Sequence, residues 1–179
     1  MQIQVLNGEN DIPDFVHLAL DTCVFIDAFH NPDKFQDFFV FLKKKNITLT
    51  TTYLNYLEFS KGFSTLKGFR DAEDFFNKTI DFYYPSKLLE ESVEKLKYAY
   101  RSDAQRLGVT DLFLASLGLQ FGDKMLVLTK DHGDFIKDLF NIIAFIPFNS
   151  NGNQVQIYCI YQLSQEKYAK RLLELEKTK

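Results

Sequence analysis

Hydrophobic positions along this chain fall into short continuous runs that alternate with stretches of helical spacing. Val16-His17-Leu18-Ala19-Leu20 reads as a buried strand ending at Asp21. Pro32 suits the first turn of a helix, and Phe35, Phe38, Phe39 and Leu42 follow at helical spacing. That helix closes on Lys43-Lys44-Lys45, where the helix dipole favours positive charge. Ile47-Thr48-Leu49-Thr50 is a β-branched strand. Helical spacing returns over residues 53–62 and 66–77, and residues 80–84 form a short strand stopped by Pro85. Ser86 is the expected cap of a long helix reaching about Leu107. Gly108 separates it from a helix over residues 111–121, with Thr110 as cap and Gly122 as stop. Residues 125–128 read as an apolar strand, 135–140 as a short helix and 142–148 as a further strand. Turn-forming residues 149–153 then lead into 155–161 as a hairpin, and a charged amphipathic helix over 165–177 finishes the pattern.

Continuous apolar strands alternating with helices predict an α/β fold, with a mostly parallel sheet covered on both faces. One domain over residues 1–179 is expected, with a core of about 16–148 and a C-terminal hairpin strand and helix as an extension over 149–179. Ligands in such folds collect at the carboxyl ends of the strands.

Composition narrows the class. The chain has 179 residues, 46% hydrophobic and 25% charged, which excludes disordered and low-complexity proteins. No apolar run approaches the roughly 20 residues of a membrane-spanning helix, so no membrane association is expected. Met1-Gln2-Ile3-Gln4-Val5 lacks the basic-then-apolar pattern of a secretory leader. Cys23 and Cys159 are far apart and lack C-x-x-C spacing, which argues against a disulfide framework or zinc site and fits the reducing cytoplasm. The net charge of −3 argues at first against nucleic acid, because phosphate contacts call for Lys and Arg.

Four acids change that picture. Asp21 follows the first strand, Asp131 lies just past the strand over 125–128, Asp111 opens a helix, and Glu58 sits within the helix after the second strand. Each alone has an ordinary explanation: helix-start chemistry, a loop acid, or an exposed helix position. Converging on one sheet edge, four carboxylates repel one another and call for a cation. Hard oxygen ligands of this kind select one or two Mg²⁺ or Mn²⁺ ions. Such ions activate water and stabilise the leaving oxygen of a phosphodiester.

The segments around these acids resemble those of the PIN-domain nucleases, most similarly the VapC-type toxin ribonucleases. Leu20-Asp21-Thr22-Cys23-Val24-Phe25-Ile26-Asp27 resembles the family's opening motif, and Thr50-Thr51-Thr52-Tyr53-Leu54-Asn55-Tyr56-Leu57-Glu58-Phe59-Ser60-Lys61-Gly62 its second. Val109-Thr110-Asp111-Leu112-Phe113-Leu114-Ala115-Ser116 and Leu128-Thr129-Lys130-Asp131-His132-Gly133-Asp134-Phe135 resemble its third and fourth. The resemblance covers residues 16–148 with the motifs in the family's order.

It implies a three-layer PIN-like fold and a metal-dependent ribonuclease. Asp21, Glu58, Asp111 and Asp131 would be the metal-binding, catalytic acids, and Asp134 would share the role of Asp131. Thr22 and Thr129 would orient carboxylates or metal-bound water, and Asp27 would lie on the following helix, away from the ions. The implied partners are single-stranded or structured RNA, an antitoxin protein if the chain is a toxin, and a second copy in a homodimer. Three departures stand out: Cys23 where many members carry Asn, a long stretch between Glu58 and Asp111, and the chain beyond Phe148.

Other chemistries fit less well. An aspartyl phosphatase needs a second Asp two residues after Asp21, where Cys23 stands, and neither G-x-S-x-G nor G-x-x-x-x-G-K occurs. The alternative is a PIN-like RNA-binding or scaffolding module with weak or no nuclease activity. For RNA contacts the sequence offers Lys43, Lys44, Lys45, Lys61, Lys67, Arg70, Arg101, Arg106 and Lys130, with Phe63, Phe69 and Tyr100 to stack on bases. Setting four of the 24 acids aside as ligands leaves 20 against 21 basic residues, so the opening acidity becomes compatible with RNA.

Overall fold

In the first stretch of chain, an apolar strand must bury both faces, and the amphipathic helices that follow supply the cover. The computed structural model describes residues 12–14, 16–101, 107–149 and 155–177. β1 (His17–Leu20) leads through Asp21 into α1 (Thr22–His30) and α2 (Pro32–Lys44), and then to β2 (Thr48–Thr52). α3 (Tyr53–Ser60) and α4 (Leu66–Thr79) precede β3 (Phe82–Tyr84), and α5 (Ser86–Tyr100) and α6 (Val109–Phe121) precede β4 (Met125–Thr129). The hairpin strands β5 (Phe140–Asn149) and β6 (Val155–Leu163) and the helix α7 (Gln165–Glu176) follow.

The strands form one six-stranded sheet in the order β3-β2-β1-β4-β6-β5. The first four are parallel, and β6 runs antiparallel to both β4 and β5. Alternate residues feed opposite cores, as the period of a strand requires. Leu18, Leu20, Leu126, Leu128 and Ile160 pack with Phe25, Phe35, Phe38, Phe59 and Phe76 from α1–α4. Ala19, Met125, Val127, Cys159 and Tyr161 pack on the other face with Leu89, Leu96, Leu114 and Leu117 from α5 and α6. The result is three layers, helices on both sides of a mostly parallel mixed sheet. No helix among the described residues is long and apolar enough to cross a membrane.

Several expectations are corrected. The long helix stops at Tyr100, with Arg101 in a left-handed conformation at φ 51°, well short of Leu107. α6 begins one residue before Thr110, and its N-cap is Gly108, which makes no side-chain cap bond. Residues 135–139 form turns rather than a helix, although Phe135, Leu139 and Phe140 still point into the core. β6, expected as part of an extension, is inserted between β4 and β5 and pairs Thr129 with Cys159. Arg106 and the turn at 150–154 lie outside the described residues.

Candidate metal centre

The sheet order places β1 between β2 and β4, so successive connections leave β1 in opposite directions. That reversal is a topological switch point at the carboxyl ends of β1 and β4, the position where ligands bind in open α/β sheets. Leu20 pairs with Leu128, so Asp21 and Thr129 emerge side by side. The Asp21 amide extends the ladder by donating to the Leu128 carbonyl at 3.0 Å.

Asp21 is buried, 5% exposed. Its Oδ2 accepts from the Thr129 hydroxyl at 2.5 Å and from the Cys23 thiol at 3.0 Å, while Oδ1 has no protein donor among the described residues. Thr129 Oγ1 also accepts from the Asp131 amide at 2.9 Å, and so fixes the start of the loop that carries Asp131 and Asp134. Burial and then Asp21 push the Cys23 thiol far up, so it stays protonated and acts as a donor, not a nucleophile.

Glu58 is reached from the same edge by a buried relay. The Thr52 hydroxyl donates to Asn55 Oδ1 at 2.6 Å, Asn55 Nδ2 donates to Thr22 Oγ1 at 3.1 Å, and Thr22 donates to Glu58 Oε2 at 2.8 Å. Thr22, Thr52 and Asn55 are buried. A hydroxyl serves here because it both accepts and donates. Asn55, which sequence reasoning assigned no role, is the central link; its signal was a polar side chain at helical spacing from Thr52 that also had to be buried.

Asp111 enters from the first turn of α6. Its carboxylate folds back over the helix start: a Cβ at Gly108 would lie 2.5 Å from Asp111 Oδ2, which is why a glycine fits there. Burial, and then the charges of Asp21, Asp134, Glu58 and Asp131, push the Asp111 carboxyl up to about 7. Burial, Asp131 and Asp21 raise Asp134 to about 6. The Tyr100 hydroxyl donates to the Asp134 carbonyl at 2.7 Å and holds that loop. All five acids named from sequence therefore lie within one electrostatic neighbourhood. Among the described residues none of them is paired with a lysine, arginine or histidine.

At Asp21, Glu58 and Asp131 the carboxylate geometry repeats. One oxygen is tied, to Thr129 and Cys23, to Thr22, or to the Gly133 amide at 3.1 Å, and the other has no protein donor among the described residues. The carboxylates are nevertheless not a preformed cage. Among the described residues no three His, Cys, Asp or Glu side chains form a group that holds a metal ion as they stand.

Other candidates separate from this edge. Asp27 faces elsewhere: Lys130 donates to it, as do the Tyr158 hydroxyl at 2.5 Å and Gln156 Nε2 at 3.5 Å. Lys130, expected to contact RNA, is thereby engaged in an ion pair. Lys43–Lys45 close α2 just before β2 begins, which puts them at the opposite edge of the sheet; Lys45 binds the Ile12 carbonyl there. Lys61, Lys67 and Arg70 are exposed at the end of α3 and the start of α4. Arg101 donates to the Leu175 carbonyl. Tyr100 is fully buried and Phe63 packs edge-on against Phe29 and Phe59, so neither is placed to stack on a base; Phe69 is 37% exposed. A groove of about 220 Å³ along α7 is a separate feature, lined by Lys137, Asp138, Lys167, Lys170, Arg171 and Glu174.

No protein-family model matches the chain, and no curated protein or solved structure matches it either.

Proposed function

We propose that the chain is a divalent-metal-dependent ribonuclease that hydrolyses RNA phosphodiester bonds at the carboxyl edge of β1 and β4. One observation carries this reading: five acids gather at a topological switch point with no basic partner among the described residues, and after burial the charges of their neighbours raise the proton affinity of Asp111 and Asp134. Such an arrangement is costly unless a cationic ligand offsets it. The donor set is all carboxylate oxygen, which suits Mg²⁺ or Mn²⁺ over softer metals.

Asp21, Glu58, Asp111 and Asp131 would hold the one or two ions, with Asp134 beside Asp131. When bound, the metal supplies positive charge to the transferring phosphoryl group and lowers the pKa of water. The chain's own residues do the positioning. Thr129 and Cys23 fix Asp21 through Oδ2 and leave Oδ1 without a protein donor among the described residues, and the Thr52–Asn55–Thr22 relay does the same for Glu58 through Oε2. Because no three such side chains among the described residues form a metal-holding group as they stand, binding an ion would require them to move together. The resemblance to the PIN-domain nucleases supports the same assignment and extends it to the toxin of a toxin–antitoxin pair.

The test is cleavage of single-stranded and structured RNA with and without Mg²⁺ or Mn²⁺, beside Asp21→Asn. Metal-dependent cleavage that falls by roughly 10²–10³-fold in the variant is expected. Absence of metal-dependent cleavage, or equal cleavage by the variant, leaves the scaffolding reading instead.

A further inference from the structure

We propose that Tyr53, Tyr56 and Tyr83 form a platform on which unpaired bases of the RNA strand stack, an inference that rests on the ribonuclease reading above. Tyr53 directly follows Thr52, the first hydroxyl of the relay to Glu58. Tyr83 lies on β3, whose residues Tyr83 and Tyr84 pair with Thr51 and Thr52. The platform is thus two strand spacings, about 10 Å, from the strand that carries Asp21.

The three rings are in mutual contact. Tyr53 and Tyr83 have centroids 5.6 Å apart, and Tyr56 and Tyr83 are nearly parallel, 7° apart at 6.1 Å. Tyr56 is anchored on Phe76 of the core at 4.8 Å. Tyr53 and Tyr83 are 38% and 46% exposed. Large aromatic rings on an ordered surface contribute little to folding from their exposed faces, and they are costly to leave in water unless something covers them.

The chemistry points to bases over a protein partner. The residues are tyrosines with hydroxyls that make no protein hydrogen bond among the described residues, which suits a heteroaromatic ligand with polar edges. β3 is only three residues long, too short to recruit a further strand by edge pairing. Single-strand-binding surfaces use such rings because every base has a stackable face.

The test measures binding of a labelled single-stranded oligoribonucleotide, and of an RNA duplex, in the Asp21→Asn background with metal present. Tyr83→Ala and Tyr53→Ala are compared with Tyr83→Phe and Tyr53→Phe. The chain has nine Tyr and no Trp, so quenching of its intrinsic emission reports tyrosine stacking in the same samples. Each alanine variant is expected to weaken single-strand binding about 5- to 100-fold, with near-parent affinity in the phenylalanine variants and little change for duplex. Parent-like single-strand affinity in both alanine variants overturns the platform while leaving the nuclease reading intact. Dimerisation of the parent that both alanine substitutions abolish, without effect on RNA, assigns the patch to a second copy and also overturns it. Single-strand binding that depends on the tyrosines, without cleavage by the unsubstituted chain, keeps the platform and removes the nuclease. A parent that binds no RNA removes both.

Discussion

Asp27 lies six residues after Asp21, yet the two carboxylates are treated in opposite ways. Asp27 is met by the Lys130 ammonium, the Tyr158 hydroxyl and the Gln156 amide, which join α1 to the end of β4 and to β6. Asp21 is met by two neutral donors on one oxygen and by further acids at the same edge. A carboxylate whose charge is offset within the chain is holding the chain together. On the proposed reading, one held in place while its charge is left uncompensated is held for a cation. Both acids sit in the same motif by sequence, and only their surroundings separate them.

The contrast is sharpest in what each site loses when a donor is removed. Thr129→Val keeps the shape of the side chain and deletes the hydroxyl on Asp21 Oδ2. Metal affinity and activity are expected to fall roughly 10–100-fold, read as a rightward shift of the Mn²⁺ dependence of cleavage. Thr129→Ser restores it. An unchanged Mn²⁺ curve in Thr129→Val would mean that Asp21 needs no orienting partner.

Asp27→Ala breaks the other side of the comparison. It strips a partly buried Lys130 and the Tyr158 hydroxyl of their acceptor and should cost about 1.5–3 kcal/mol of folding stability. Urea unfolding measures it, and cleavage per folded molecule stays near the parent's. A loss of activity larger than the loss of folded protein would place Asp27 in the catalytic centre.

Asp111→Asn has the smaller effect on stability and the opposite sign. The native carboxyl titrates at about 7 against an ordinary 3.8, so the folded state holds its proton more tightly than the unfolded one. Stability is therefore lost as pH rises through this window, and the penalty is complete above about 7. The substitution removes that penalty: Tm in the absence of divalent metal should rise by a few degrees at pH 8 and change little near pH 4. A lower Tm at pH 8 would mean that the Asp111 charge is stabilising.

Much of this was legible in the sequence. The apolar runs gave the central strands, and the position of Asp21, Asp111 and Asp131 beside element ends gave the candidate acids. What escaped was set by tertiary context. The end of α5 falls at Arg101, with a left-handed backbone and no glycine to mark it. The spacing of Phe135, Leu139 and Phe140 imitates a helix, but so short a segment has no helical stability of its own and the core accepts it as turns. The insertion of β6 beside β4 is invisible locally, because hairpin chemistry specifies β5 with β6 and says nothing about which of them meets β4. In the site, the pairing of Lys130 with Asp27 and the buried link through Asn55 depend on contacts across the fold. The same holds for Tyr100, whose helical spacing is as consistent with the core as with an exposed stacking face.

On the proposed reading the carboxyl-edge acids hold a divalent cation. Thermal unfolding at pH 8 with and without Mn²⁺, for the unsubstituted chain and for Asp21→Asn, tests it most directly, since a ligand of the native state raises Tm by mass action. A Mn²⁺-dependent rise is expected in the unsubstituted chain, diminishing below about pH 6 as Asp111 and Asp134 take up protons, with little or no rise in Asp21→Asn. No rise in the unsubstituted chain, or an equal rise in both proteins, would contradict it.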